Sequence, residues 1–144
     1  MLKYSQLDGS NPCGSYISCM ITPLDSLILV LGASAQEHRY SYQAARILMK
    51  SGYPVWLIGS RHAQLDGQPI TTNWPGDGSP VHTVTVYLGP EHLESQLHKM
   101  CALQPRRVIF NPGTEHPGHQ KVLTDAGIRV EQACTLVLLN TGQF

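Results

Sequence analysis

The sequence predicts an α/β protein: a doubly wound parallel sheet of about five strands, in the order 3-2-1-4-5, with helices on both faces in a three-layer α/β/α arrangement. Three observations predict it. The apolar run Leu27–Leu31 ends abruptly at Gly32-Ala33-Ser34, and a segment of helical spacing follows. Short runs rich in Val, Ile and Thr then alternate with segments whose apolar residues recur every three or four positions. Gly, Pro, Asn and Asp punctuate the joins.

The elements follow in order. Leu27–Leu31 is a short, continuously apolar run, the pattern of a strand buried on both faces. The helix expected over 41–51 has Ser41 placed to cap it, Tyr42, Ala45 and Met49 on one face, and Gly52 to end it. Val55–Ile58 is strand two. The segment 61–82 is turn-rich: Asp66-Gly67 suggests a small hairpin-like excursion, and Trp74-Pro75-Gly76-Asp77-Gly78 reads as a loop. Strand three is expected over 83–88. The helix over 90–102 is the clearest, with Leu93, Leu97, Met100 and Cys101 at i, i+4, i+7 and i+8. Strand four is expected over 108–110. A third helix follows with Thr114 as its cap, Pro117 in its first turn and Gly127 beyond its end. Strand five is expected over 128–130, and 134–139 is a last apolar run, a short strand or core-lining segment. Residues 1–24, rich in Ser, Gly, Asn and Pro, read as an irregular leader to a domain over 25–144.

Strands joined by helices imply right-handed crossovers and a parallel sheet. Ligands of such sheets bind beyond the carboxyl ends of the strands, where the strand order reverses. The expected order sets the exit of strand one, Gly32-Ala33-Ser34, beside the exit of strand four, Asn111-Pro112-Gly113.

Composition narrows the function. The 144 residues suffice for one domain with a real core, and ten basic residues balance ten acidic ones. A net charge of zero supplies no electrostatic attraction to nucleic acid or to an anionic membrane. No apolar run approaches the roughly 20 residues that span a bilayer, and the first 20 residues lack a secretory pattern, so a cytoplasmic protein is expected. Cys13, Cys19, Cys101 and Cys134 form no CxxC pair and no zinc spacing. Cys101 and Cys134 are expected to be buried apolar side chains. A disulfide or mixed disulfide at Cys13 and Cys19 stays open.

A strand, a tight turn of small residues and a helix start together form an anion site, because the helix's first amides and its dipole face the turn. The nucleotide is narrowed by what is missing. A GxGxxG turn and an acidic residue at the end of strand two would mark NAD. Only Gly32 stands in the first glycine's place, and strand two ends in Gly59-Ser60-Arg61. An arginine there suits a ribose that carries a phosphate, as in NADP or coenzyme A.

The segment ILVLGASAQEHRYSYQAARILMKSGYPVWLIG, with Thr83 to Leu88, Ile109 to Glu115 and Ala133 to Val137, resembles the CoA-binding, Rossmann-like domain family. That domain also forms the nucleotide-binding part of the succinyl-CoA synthetase alpha subunit. The resemblance covers about residues 25–144 and implies a set of contacts. Gly32, Ala33 and Ser34 would line the diphosphate turn, and Arg39 and Ser41 would meet phosphate oxygens. Tyr42 would pack beside the ligand or the turn. Gly59, Ser60 and Arg61 would border the 3′-phosphate end. Leu88 and Pro90 would form an apolar wall for adenine or pantetheine, and Asn111, Pro112 and Gly113 would border the pantetheine arm. Members often carry Asn-Pro after strand two, where this chain has Gly59-Ser60.

No G-x-S-x-G or HExxH motif is present. His116 and His119 lie three apart without a third metal ligand, so neither catalytic nor metal residues are assigned. The synthetase's phosphorylated histidine belongs to a separate domain and is not transferred. The sequence therefore points to a CoA or acyl-CoA binding protein acting as carrier, sensor or interaction module, with a homo-oligomer left open. The alternatives are an NADP-binding oxidoreductase domain and a thiol protein forming a mixed disulfide with CoA.

Overall fold

In the computed structural model, residues 27–76 and 80–144 are described. The leader with Cys13 and Cys19, and Asp77-Gly78 of the expected loop, lie outside them. The chain runs β1 (Leu27–Leu31), α1 (Tyr40–Lys50), β2 (Val55–Ile58), β3 (Ala63–Leu65), β4 (Gln68–Thr71), β5 (Val81–Val86), α2 (Pro90–Leu93), a 3₁₀ turn (Glu94–Gln96), α3 (Leu97–Leu103), β6 (Arg107–Phe110), α4 (Pro117–Asp125), β7 (Arg129–Gln132) and α5 (Thr135–Asn140). The strands form one sheet in the order β3-β4-β2-β1-β5-β6-β7. All neighbours are parallel except β3 and β4.

β1 is central, and its side chains alternate between two cores. Ile28 and Val30 face α1, joined by Tyr42, Ala45 and Leu48, with Leu139 of α5 beside them. Leu29 and Leu31 face the other layer, with Leu93, Met100 and Leu123 of α2, α3 and α4. Both faces are apolar, so β1 reads as an unbroken run.

The sheet differs from expectation in strand number and order. It has seven strands rather than about five, and the strand expected over 83–88 lies on the far side of β1 from β2. The cause is the Asp66-Gly67 turn. Both residues take positive φ (49° and 84°), the type I′ geometry that closes a two-residue hairpin. The hairpin's return strand β4 pairs parallel to β2 and occupies its free edge. The next strand must then go to the open edge of β1. Among the described residues of the β4–β5 crossover none is helical; Trp56 and Trp74 pack on the core there, and the Trp56 indole donates to the Asn73 carbonyl (2.9 Å).

Four local expectations also change. Ser41 does not cap α1: Arg39 holds the N-cap position without a side-chain cap, and Ser41 is buried one residue into the helix. α4 starts at Pro117 behind a His116 cap, while Thr114 turns back to donate to the Asn111 carbonyl (2.7 Å). The 134–139 run is the helix α5, and Cys101 and Cys134 are half-buried.

The amino ends of the strands are closed by a charged cluster. Buried Arg107 donates to Thr83 Oγ1 (3.1 Å) and to the Phe144 carbonyl (3.1 Å), lies 3.6 Å from Glu131, and sits over the Phe144 ring. Burial, then the charges of Arg107, Arg106 and Arg129, hold the neighbouring His82 below the usual imidazole value. At the start of α4, His119 stacks on His116 with centroids 4.0 Å apart. Burial and the charge of His116 lower His119, against an opposing pull from Glu94.

A histidine with a lowered native pKa stays neutral while the unfolded chain takes up its proton from about pH 6.5 downward. The unfolded state then binds more protons, so stability falls as pH falls. Thermal unfolding between pH 7.5 and 5.5 is expected to show a declining Tm, with a flatter profile in the double variant His82→Gln, His119→Gln. Parallel profiles for variant and wild type would show that neither histidine carries the effect.

Candidate functional site

A cleft of about 930 Å³ opens over the carboxyl ends of β4, β2, β1 and β5. Its middle is the β1–α1 turn, where Gly32, Ala33, Ser34, Gln36 and Arg39 line it. Gly59, Ser60, Arg61 and Thr72 line the flank over β2 and β4. The opposite flank is Tyr87-Leu88-Gly89 and the α2–α3 segment, through Glu91, His92, Ser95, Gln96 and Lys99.

The floor is tightly fixed. The amides of Gly32 and Ala33 both donate to the Ile58 carbonyl, at 2.9 and 2.7 Å. Gly32 has φ 101°, and a Cβ there would lie 3.0 Å from the Tyr87 carbonyl carbon, so the position favours glycine on both counts. These amides are occupied within the protein. An anion at the turn would instead meet the uncapped start of α1, which has no acidic residue in its first turn, together with the exposed Arg39. Arg39 Nε is 3.4 Å from Gln36 Oε1, and the Gln36 amide donates to Ser34 Oγ (3.0 Å), so the turn is braced by its own side chains.

The structure brings together Gly32, Ala33, Ser34, Arg39, Gly59, Ser60, Arg61 and Leu88 of the residues expected from sequence. It does not bring Ser41, Tyr42, Pro90, Asn111, Pro112 or Gly113 to the cleft wall. Ser41 and Tyr42 are buried under α1. Asn111 is buried one strand further from β1 than expected, because β5 lies between β1 and β6. It acts as a tie: its Nδ2 donates to Thr85 Oγ1 and the Val86 carbonyl, and its Oδ1 accepts the Thr135 amide, all at 2.8 Å. Thr85 and Thr135 also bond each other at 2.7 Å. The Tyr87 hydroxyl lies beside both threonines but outside hydrogen-bonding geometry with them, and burial pushes it up to about 12.

The sequence reading missed the α2–α3 wall. Its signal is present: the polar positions Glu91, His92, Ser95, Gln96 and Lys99 are spaced as one helical stripe beside the buried Leu93 and Met100. Only the placement of β5 beside β1 turns that stripe toward the cleft. Among the described residues, no three His, Cys, Asp or Glu side chains gather to hold a metal ion, and no helix is long and apolar enough to cross a membrane.

With this geometry in place, the chain belongs to the CoA binding domain family, whose model matches residues 26–140. It is similar to an uncharacterized protein of known crystal structure, with 36% identity, a TM-score of 0.78, and coverage of 83% of this chain and 98% of that one. A Thermus thermophilus structure is 28% identical with a TM-score of 0.74, covering 83% and 90%. A hypothetical protein from Pyrococcus horikoshii OT3 is 17% identical, covers 87% and 88%, and with a TM-score of 0.73 shares the fold. No curated protein matches.

Gly59 is the sharpest test of the floor. A Cβ there would lie 2.7 Å from the Ala33 carbonyl oxygen and 2.8 Å from Ile70 Cγ2. The backbone carbonyl cannot yield without moving the β1 turn, so Gly59→Ala is expected to cost about 1–3 kcal/mol. At this chain length the Tm should fall by roughly 2–10 °C in calorimetry. An unchanged Tm would mean that the two loops separate freely.

Proposed function

We propose that the cleft binds coenzyme A or an acyl-CoA, and that the protein serves as a carrier, sensor or interaction module whose state follows that ligand. The observation that carries this is a cationic cleft in a chain of zero net charge: Arg39, Arg61 and Lys99 line it against a single carboxylate, Glu91. The diphosphate would lie at the β1–α1 turn, where Arg39 and the uncapped helix start supply positive charge. The 3′-phosphorylated nucleoside would take the β2–β4 flank, where Arg61 is the cation. The pantetheine arm would follow the β5 flank along Leu88 and the neutral polar side chains Ser95 and Gln96, which suit its amides. Family membership supports the ligand class, and the missing carboxylate at the end of β2 disfavours NAD.

A thermal-shift screen tests the reading with CoA, acetyl-CoA, 3′-dephospho-CoA, NADP, NAD and ATP. Ligand at 100 times its Kd adds about 2.7 kcal/mol, which should raise the Tm by roughly 5–10 °C. Stabilisation by CoA species is the expected result. Stabilisation by NADP alone would assign a nicotinamide cofactor, and none at all would remove the reading.

Arg61→Ala then locates the 3′-phosphate. Arg61 is exposed and screened, so a loss of roughly threefold to fivefold in CoA affinity is expected. Titration with 3′-dephospho-CoA should show no such loss. Equal losses for both ligands would place the 3′-phosphate elsewhere.

A further inference from the structure

We infer that Trp74, which does not line the cleft, is a positioning residue for its pantetheine flank, acting through Gln96. This rests on the coenzyme A reading above. Three features of the α2–α3 wall lead to it.

First, the wall is not one helix. The apolar spacing over 90–102 suits a continuous helix, yet the segment breaks into α2, a 3₁₀ turn over Glu94–Gln96 and α3. A 3₁₀ stretch inside a helix has poorer hydrogen bonds and needs outside support. Second, the break faces the ligand: Ser95 and Gln96 of the 3₁₀ turn both line the cleft. Third, the support comes from another element. Trp74 donates its indole N–H to Gln96 Oε1 at 2.9 Å, across 22 residues of sequence, while its ring packs on the core between the sheet and α2–α4.

Gln96 can therefore present its amide to the cleft in one orientation. With Oε1 accepting from Trp74, Nε2 points the other way: one of its two N–H groups donates to Ser95 Oγ (3.3 Å), and the second is left to donate. A wall of this kind matches the carbonyl oxygens of an amide-bearing arm. The nucleoside flank over β2 and β4 is built from other residues and does not use this bond.

Two ligands separate the flanks. CoA fills both, and adenosine 3′,5′-bisphosphate has no pantetheine arm. Trp74→Phe keeps an aromatic ring on the core and removes only the donor. Loss of one neutral hydrogen bond should weaken CoA binding by roughly threefold to tenfold in calorimetric titration, with adenosine 3′,5′-bisphosphate bound as by wild type. The chain has two tryptophans, Trp56 and Trp74. In the Trp56→Phe protein the emission therefore belongs to Trp74, and it should change on adding CoA but not on adding the bisphosphate. This measurement stands even if Trp74→Phe does not fold.

Equal weakening for both ligands, unchanged CoA affinity in folded Trp74→Phe, or Trp74 emission indifferent to CoA would each overturn the inference and leave the CoA reading intact. A wild-type protein that binds no CoA would overturn both.

Discussion

The carbonyl of Ile58 organises the site. As the last residue of β2, it accepts the amides of Gly32 and Ala33, the two residues that leave β1. Two loops that would otherwise splay apart are thereby held at a fixed separation, with Gly59 packed directly beneath the Ala33 carbonyl. Buried amides left unpaired here would be costly, and water cannot replace a carbonyl enclosed by two strands. The small residues of the turn are thus explained twice over. They allow a ligand to approach, and they allow β1 and β2 to close on each other. The second role would persist in a protein that bound nothing, which is why the glycines alone are weak indicators of a nucleotide.

The sequence made β1, β2, β5 and β6 legible because each is an apolar run bounded by turn residues. It did not make their order legible. Order depends on a contest for the free edge of β2, and that contest is settled by Asp66-Gly67, two residues whose left-handed backbone brings Gln68–Thr71 back as a strand. The hairpin was visible as a turn, but whether its arms would join the main sheet is a tertiary question. One wrong neighbour then moved a whole loop. With β5 next to β1, Asn111 falls behind the site as a tie between β5, β6 and α5, and the α2–α3 stripe comes forward in its place. The expected residues that do line the cleft at the turns after β1 and β2, namely Gly32, Ala33, Ser34, Arg39, Gly59, Ser60 and Arg61, sit at the ends of strands whose pairing does not depend on that choice.

Helix starts were the least legible detail. Ser41 and Thr114 are good caps by residue type, yet neither caps a helix. At α4 the histidine two residues on takes the role, its Nδ1 accepting the His119 amide at 3.2 Å. Thr114 is drawn off by the Asn111 carbonyl, where it closes a buried turn. At α1 no side chain caps the helix. An uncapped start is ordinarily a loss of about 1 kcal/mol, which under the proposed coenzyme A reading the ligand's diphosphate would offset.

The two ends of the sheet divide the labour of charge. At the amino ends, Arg107 is enclosed with Glu131, Thr83 and Phe144, where its charge is met internally. At the carboxyl ends, Arg39 and Arg61 stand exposed with no carboxylate in a salt bridge to either among the described residues. A buried cation must be partnered to offset its desolvation, whereas an exposed one contributes little to stability. It can contribute strongly to meeting an anion that arrives with its own charge. Arg39 and Arg61 thus stand unpaired, among the described residues, over the strand ends where a parallel sheet binds its ligands.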